Sequence, residues 1–199
     1  ASETVKRVTL ELGGKSANII LDDADIVKAA KMSVYSCFNN SGQECSSLSR
    51  LLIPSSHRDE IIEVIASTME RYTVGDPMNE SIKCGPMVSE SQRESVAGYI
   101  SKGITEGATI ISGGLGSPDG ISKGFFVKPT VFADVTSEMT IFREEIFGPV
   151  LSISTYETEE EAIMMANDSE YGLSGGVWSG DDARAMRVAM AMRTGQVSI

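Results

Sequence analysis

Short apolar runs alternate along the chain with longer segments whose apolar residues recur every three or four positions. The short runs are typical of buried strands, and the three-to-four spacing is typical of amphipathic helices. Polar residues mark several boundaries, as at Asp25, a suitable helix N-cap before Ile26. The pattern predicts strands at residues 17–21, 51–53, 108–111, 130–132, 150–153, 176–178 and 196–199, and helices at residues 26–37, 59–72, 89–106, 159–167 and 181–193.

Strands joined by amphipathic helices, with few two-residue hairpin signals, predict an α/β fold. Parallel strands need crossover connections, and helices supply these on both faces of a sheet. We therefore expect an open, mainly parallel twisted sheet with helices on both faces. In such sheets ligands gather at the carboxyl ends of the strands. The glycine-rich residues 113–120 lack the strand-to-helix context of a phosphate loop, which favours a plain surface turn.

The charge balance narrows the class of partner. The chain has 17 basic and 28 acidic residues, a formal net charge of −11, and no run rich in lysine or arginine. Nucleic acid is therefore not expected as a partner. Hydrophobic residues make up 41% of the chain, but no run approaches the roughly 18 apolar residues of a membrane span. A membrane partner is not expected either.

The cysteine and histidine content argues against a metal centre. Cys37, Cys45 and Cys84 are an odd number of cysteines without a CxxC spacing, and His57 is the single histidine. His57 lies in a polar segment at a helix start, so we interpret it as structural or solvated rather than as part of a catalytic triad. Free thiols persist in a reducing compartment, which favours a cytoplasmic location.

Cys45 stands where a nucleophile is expected, after a polar loop at residues 39–42 that follows an apolar helical run. A thiolate forms covalent bonds with carbonyl carbons, and a nearby carboxylate can activate the water that releases the product. Glu11, 34 residues upstream, is the candidate base. We expect the flanking Leu10 and Leu12 to bury it, as would suit a general base.

Three motifs along the chain resemble those of the aldehyde dehydrogenase superfamily, in the same order. Residues 10–16 (Leu-Glu-Leu-Gly-Gly-Lys-Ser) resemble its glutamate motif, and residues 42–45 (Gly-Gln-Glu-Cys) resemble its cysteine motif. Residues 144–149 (Glu-Glu-Ile-Phe-Gly-Pro) resemble its cofactor-contacting motif. Weaker matches at residues 124–131 and 171–174 extend the resemblance over essentially the whole chain.

The resemblance implies roles for four residues, and we assign no role to Lys15. Cys45 would attack an aldehyde to give a thiohemiacetal and then a thioester, and Glu11 would activate the water that hydrolyses this thioester. Glu145 would hold the hydroxyls of a nicotinamide ribose, and Phe147 would pack near the nicotinamide ring. The implied cofactor is NAD or NADP, and the implied reaction oxidises a small-molecule aldehyde to a carboxylic acid.

The same resemblance implies which part of a full-length protein the chain represents. Residues 1–199 resemble the catalytic domain alone, with the NAD-binding Rossmann domain and an oxyanion asparagine expected upstream and a C-terminal oligomerisation strand expected downstream. We therefore expect negligible NAD-linked oxidation from these 199 residues by themselves, although slow ester hydrolysis could survive. The full-length protein is expected to be a homodimer or homotetramer.

Two alternative functions stay open at this point. One is a relative that passes the acyl group to coenzyme A or phosphate, against which Glu11 argues, because such an enzyme has less use for a hydrolytic base. The other is a non-catalytic scaffold that keeps the fold. The presence of both the Cys45 thiol and the Glu11 carboxylate disfavours the scaffold.

Overall fold

A computed structural model describes residues 2–199 and contains one seven-stranded sheet with helices packed on both faces. The strands are β1 (Ala17–Ile20), β2 (Arg50–Pro54), β3 (Thr109–Ser112), β4 (Thr130–Ala133), β5 (Val150–Tyr156), β6 (Ser174–Trp178) and β7 (Gln196–Ser198). The α-helices are α1 (Ile26–Phe38), α2 (Arg58–Met69), α3 (Glu90–Thr105), α4 (Thr140–Arg143), α5 (Glu159–Asn167) and α6 (Asp182–Ala191). Short 3₁₀ helices cover Ser2–Thr4, Asn39–Gly42 and Ser55–His57.

The sheet has the strand order β3-β4-β5-β2-β1-β6-β7. Each strand pairing is parallel except that between β3 and β4, which is antiparallel. The expectation of an open, mainly parallel α/β sheet is confirmed. Because β5, β2 and β1 are parallel neighbours at the centre, their amino-terminal ends lie at the same edge of the sheet.

The side chains of the central strands point alternately to the two faces of the sheet, so the apolar core has two parts, one on each face. Ile20, Leu51 and Ile53 belong to a core with the apolar residues of α1 and α2. Ile19 and Leu52 belong to a second core with residues of α3, α4, α5 and α6. Successive side chains of a strand point to opposite faces, so a strand covered on both faces is apolar throughout. This is why short continuous apolar runs identified the strands.

The helix starts follow capping residues that the sequence displays. Asp25 is the N-cap of α1, and its side chain accepts a hydrogen bond from the Lys28 N–H at 3.0 Å. Ser89 is the N-cap of α3, and its side chain accepts one from the Gln92 N–H at 3.1 Å. The helix ends are less well predicted: α2 ends at Met69 and α6 ends at Ala191, each two or three residues early. The four-residue α4 is too short to display a period and was not predicted. Within residues 2–199, no helix is long and apolar enough to cross a membrane.

A buried arginine fixes the start of β2 to the end of α5. Arg50 is 1% exposed, and its guanidinium donates to the carbonyl oxygens of Met165 and Ala166 at 2.7 and 2.8 Å. These carbonyls belong to the last helical turn, where carbonyl oxygens lack the usual N–H partner four residues later; Met165 accepts only a longer bond from the Asp168 N–H, at 3.3 Å. Burial lowers the pKa of Arg50 to about 10, and the guanidinium also lies 4.6 Å from the centre of the Phe142 ring. The strand that follows the Cys45 loop is therefore held in place.

Candidate active site

The three sequence motifs meet at one edge of the sheet. The Gly13–Gly14 pair precedes β1, Cys45 precedes β2, and residues 144–149 precede β5. Since these strands are parallel neighbours, the residues that precede them lie together at the amino-terminal edge. The expectation that ligand-binding residues would gather at the carboxyl ends of the strands is therefore wrong for these candidates. They lie at the opposite edge.

Two adjacent glycines form the contact between the glutamate motif and the other two motifs. The backbone N–H of Gly14 donates to Glu145 Oε1 at 3.1 Å. A Cβ atom at Gly13 would overlap the Glu145 carboxylate, and one at Gly14 would overlap the carbonyl oxygen of Cys45. The requirement for glycine is strict at Gly14, which faces backbone, whereas at Gly13 the end of the Glu145 side chain would have to shift. The structure thus brings Cys45 and Glu145 to either side of one glycine pair.

The turn that leads to Cys45 has an unusual backbone. Asn40, Ser41 and Gly42 all have positive φ angles, of 49°, 58° and 71°. This left-handed conformation costs a non-glycine residue roughly 1–3 kcal/mol and persists where surrounding contacts hold it. At Gly42 a Cβ atom would also overlap the backbone of Gly148 and Pro149. The cysteine motif and the cofactor motif are therefore packed backbone to backbone.

Cys45 is the most accessible of the three cysteines. All three are free, but Cys37 and Cys84 are buried while Cys45 is only partly buried, in a turn closed by the N–H of Ser47 donating to the carbonyl oxygen of Glu44 at 3.1 Å. Burial raises the pKa of the Cys37 thiol to about 12, and burial also raises the pKa of Cys84. Reaction with a solute therefore favours Cys45.

Phe147 is held in a strained conformation that leaves its ring accessible. Its φ is 54°, which is rare for a residue with a bulky side chain, and it is 39% exposed. The amide nitrogen of Gln92 donates to the carbonyl oxygens of Ile146 and Phe147, at 3.1 and 2.9 Å. Ile146 itself is buried in the core. Backbone strain that specific contacts hold is common at functional sites, so Phe147 is a candidate functional residue.

Glu11 lies in a segment without regular secondary structure between the first 3₁₀ helix and β1. Glu11 is exposed, and so are Leu10 and Leu12, at 68% and 62%. The expectation that these leucines bury Glu11 is therefore wrong. Val8, Leu10 and Leu12 alternate as in a strand, yet this segment pairs with no strand of the described sheet, and its apolar side chains stay largely exposed.

Lys15, to which sequence reasoning gave no role, is the most unusual charged residue beside the Gly13–Gly14 pair. It follows Gly14 directly and is 1% exposed, and its Nζ atom lacks a hydrogen-bond partner among residues 2–199. Burial lowers the pKa of Lys15 to about 7. An unpartnered buried amine is costly, because the charged form loses its hydration without compensation. No pattern in the sequence signals this burial.

Sequence reasoning also missed two glutamines, Gln43 and Gln92, that connect the motifs through backbone groups. Gln43 stands two residues before Cys45 and contacts the segment before α3, while Gln92 contacts the backbone at Phe147. A polar residue inside the cysteine motif was the available signal for Gln43. In the part of the chain that the structure describes, no group of three His, Cys, Asp or Glu side chains is placed to hold a metal ion.

Fold and site together define a mainly parallel α/β domain that presents one accessible cysteine near a glutamate and an exposed aromatic ring. The chain matches the family model described as "Aldehyde dehydrogenase family" over residues 1–199. It belongs to the aldehyde dehydrogenase family.

Curated relatives support the same assignment. A 3-succinoylsemialdehyde-pyridine dehydrogenase from a Pseudomonas species is 52% identical over 199 residues, which are 100% of this chain and 42% of that protein. A betaine aldehyde dehydrogenase from Rhizobium etli is 47% identical over 200 residues, covering 100% of this chain and 41% of that protein. The chain thus spans well under half the length of these relatives.

Solved structures agree. The crystal structure of a mutant of aldehyde dehydrogenase C from Pseudomonas syringae, in complex with NAD⁺ and octanal, has a TM-score of 0.96 and 45% identity, covering 99% of this chain and 41% of that one. The Mycobacterium tuberculosis aldehyde dehydrogenase complexed with NAD⁺ has a TM-score of 0.95 and 49% identity, covering 100% and 41%. The α/β fold is therefore that of the family's solved structures.

Proposed function

We propose that this chain is the catalytic domain of an NAD(P)-dependent aldehyde dehydrogenase that oxidises an aldehyde to a carboxylic acid. The observation that carries the proposal is the setting of Cys45. This thiol is the accessible one of three, it follows a strained turn, and it lies across a glycine pair from Glu145. Membership of the aldehyde dehydrogenase family supports the reaction class.

In the proposed reaction the Cys45 thiolate adds to the aldehyde carbonyl carbon and forms a thiohemiacetal. The new oxyanion needs hydrogen-bond donors, and the backbone N–H of Cys45 is one candidate. Loss of a hydride from the former aldehyde carbon would leave a thioester on Cys45, and a nicotinamide cofactor, when bound, would supply the hydride acceptor. Water then attacks the thioester, which releases the carboxylic acid and restores the thiol.

The residues proposed for the cofactor fit a nicotinamide nucleotide. The partly exposed ring of Phe147 can pack against a planar heterocycle. Glu145 is a carboxylate at the same edge, and carboxylates bind ribose hydroxyls; each oxygen accepts more than one hydrogen bond, so the bond from Gly14 leaves capacity. NAD⁺ is bound in the P. syringae and M. tuberculosis structures named above. The proposal covers NAD and NADP without a choice between them.

Glu11 is proposed as the base that deprotonates the hydrolytic water. Its place in the glutamate motif carries this assignment, together with its attachment to the Gly13–Gly14 pair that contacts Cys45 and Glu145. Glu11 is exposed in this structure, and the proposal places its carboxylate against the hydrolytic water beside Cys45 in the full-length protein.

The substrate is proposed only as a small-molecule aldehyde. The relatives carry the names of a succinoylsemialdehyde-pyridine dehydrogenase, a betaine aldehyde dehydrogenase and a geranial dehydrogenase, whose aldehydes differ in charge and shape. A homodimeric or homotetrameric full-length protein and a cytoplasmic location stay predictions.

The test is an assay of the purified full-length protein with a panel of aldehydes, NAD and NADP, with and without coenzyme A. We expect reduction of the nicotinamide and release of the free acid without coenzyme A. Product that forms only when coenzyme A or phosphate is added would favour the acyl-transfer relative. No turnover with any acceptor, in a protein whose Cys45 reacts no faster than Cys37 and Cys84, would favour the scaffold.

A further inference from the structure

We propose that Gln43 is a positioning residue for Cys45. It acts through two side-chain hydrogen bonds, which we call the clasp, to the backbone of residues 85–88, which we call the strap. This inference rests on the proposed function, in which Cys45 is the nucleophile. It assigns Gln43 no contact with substrate or cofactor. The side chain instead holds the turn from which Cys45 projects against the segment that leads into α3.

The Gln43 side chain pairs with the strap as a neighbouring strand would. Its Nε2 atom donates to the carbonyl oxygen of Pro86 at 3.3 Å, and its Oε1 atom accepts the backbone N–H of Val88 at 2.8 Å. A carbonyl and the N–H two residues later are the two groups that a strand offers to one neighbour. The amide therefore satisfies both, and a residue without a donor and an acceptor could not replace it.

A second pair of contacts fixes the same turn to the same strap. Ser41 Oγ donates to the carbonyl oxygen of Gly85 at 3.2 Å and accepts the Gly85 N–H at 2.9 Å. Ser41 is one of the left-handed residues of the turn, and Asn40 Nδ2 donates to the carbonyl oxygen of Gln43 at 3.1 Å. A strained turn persists only when its surroundings hold it. Here the strap supplies the contacts on both sides of Gly42.

Gln92 provides a natural comparison on the same segment. It lies in the first turn of α3, and its amide nitrogen donates to the carbonyl oxygens of Ile146 and Phe147. Gln92 thus holds the residue proposed to face the nicotinamide ring, whereas Gln43 holds the turn of the nucleophile. The two glutamines should therefore affect different kinetic parameters, although both make only backbone contacts through their side chains.

Hydrogen exchange tests the clasp in the 199-residue chain without any need for activity. In Gln43→Met, which has similar length but no amide, we expect the Val88 N–H to exchange at least about tenfold faster, because its acceptor is lost. The Met87 N–H donates to Phe125 at 2.8 Å and is the internal control, expected to change by less than about twofold. An equal increase in exchange rate at the Val88 and Met87 amides would mean that the whole segment had become less stable, and it would contradict the proposed hydrogen bonds of Gln43.

Kinetics of the full-length protein test the positioning role. We expect Gln43→Met to lower kcat at least about tenfold and to leave the KM for NAD within about twofold, with Cys45 still alkylated by iodoacetamide. We expect Gln92→Met to raise the KM for NAD instead. Equal effects of the two variants on both parameters, or an unchanged kcat in folded Gln43→Met, would overturn the proposal.

A charged variant gives a readout that a steric role would not produce, and it replaces Gln43→Met if that protein does not fold. Gln43→Glu keeps the acceptor for Val88 but presents a carboxylate to the Pro86 carbonyl oxygen at neutral pH. Protonation restores a donor of the original shape. We expect its kcat, relative to the parent protein at each pH, to recover as the pH falls toward the carboxyl range. A pH-independent ratio would contradict the hydrogen-bonding role. Aldehyde oxidation by Cys45→Ser would refute the proposed function separately, with the exchange result unaffected.

Discussion

The backbone N–H of Gly14 donates a hydrogen bond to Glu145 Oε1 at 3.1 Å, across 131 residues of sequence. On its other side Gly14 lies against the carbonyl oxygen of Cys45. Gly14 therefore lies between the Cys45 backbone and the Glu145 carboxylate, with no room for a side chain on the Cys45 side. Small substitutions at this position test the arrangement directly.

Gly14→Ala is expected to destabilise the chain by about 1–3 kcal/mol, because the new methyl group must displace the Cys45 carbonyl. Gly98→Ala is the matched control, since Gly98 lies inside α3 and a methyl group there would have no neighbouring atom within 4 Å. That change should stabilise by about 0.5–1 kcal/mol through helix propensity. Urea unfolding of the two variants gives both values. A Gly14→Ala chain as stable as Gly98→Ala would show that the contact is absent.

Iodoacetamide at pH 7 is expected to label Cys45 at least about tenfold faster than Cys37 or Cys84, because both of these thiols are buried and have raised pKa values. Peptide mass spectrometry after timed quenching measures each rate in one sample. Denatured protein is the control, in which the three rates should converge. Uniform slow labelling of the folded chain would favour the scaffold alternative.

Lys15→Met is expected to raise the free energy of unfolding at pH 7 by about 1–3 kcal/mol, since it removes an unpartnered buried amine. The native pKa of Lys15 is lowered to about 7 from 10.5, so between these pH values the unfolded chain binds more protons. The contribution of Lys15 therefore makes stability rise with pH across this window, and the penalty is fully present below it. In the Lys15→Met chain, this increase of stability with pH should be absent.

The comparison of Lys15→Met with the parent chain is best made between pH 7 and 9. Above pH 9 the raised pKa of Cys37 acts in the opposite direction, because the unfolded thiol then loses its proton before the native one. Urea unfolding of both chains at pH 7, 8 and 9 supplies the difference. Parallel pH dependences would mean that the Lys15 amine is hydrated or paired in solution.

Glu145→Gln and Glu144→Gln form a matched pair that separates cofactor binding from structure. The carboxylate of Glu144 accepts a hydrogen bond from the Tyr99 hydroxyl at 2.8 Å and has no proposed role at the cofactor, so its amide variant should leave the KM for NAD within about twofold. In the full-length protein, Glu145→Gln retains an acceptor for Gly14 but loses the charge that we propose binds the ribose hydroxyls. We expect its KM for NAD to rise about tenfold. Equal KM values for the two variants would remove Glu145 from the cofactor site.

The sequence predicted most of the fold because its strands are buried on both faces and its helices are amphipathic. Runs such as residues 51–53 and the spacing from Ile26 to Cys37 carry this information locally. The edge of the sheet at which the motifs meet was predicted wrongly, because a general rule for ligands at the carboxyl ends of strands was applied although each motif precedes its strand. The contact of Gly14 with Glu145 depends on the order of the strands in the sheet.

Other features of the site depend on tertiary contacts that leave no local trace. The left-handed turn at Asn40 and Ser41 is held by the strap, and Lys15 is buried by elements distant in sequence. Glu11 was expected to be buried because of its apolar neighbours, but burial also needs a surface for those neighbours to pack against. Pattern alone identifies an apolar face and not the partner that covers it.

The most direct test is to trap the acyl group on Cys45. Full-length Glu11→Gln protein, incubated with an aldehyde and NAD and then quenched in acid, should carry the acyl mass on the peptide that contains Cys45, because the thioester forms but its hydrolysis is slowed. Glu11→Gln with Cys45→Ser should carry none. An acyl mass on another residue, or undiminished NAD reduction by Cys45→Ser, would contradict the assignment of Cys45 as the nucleophile.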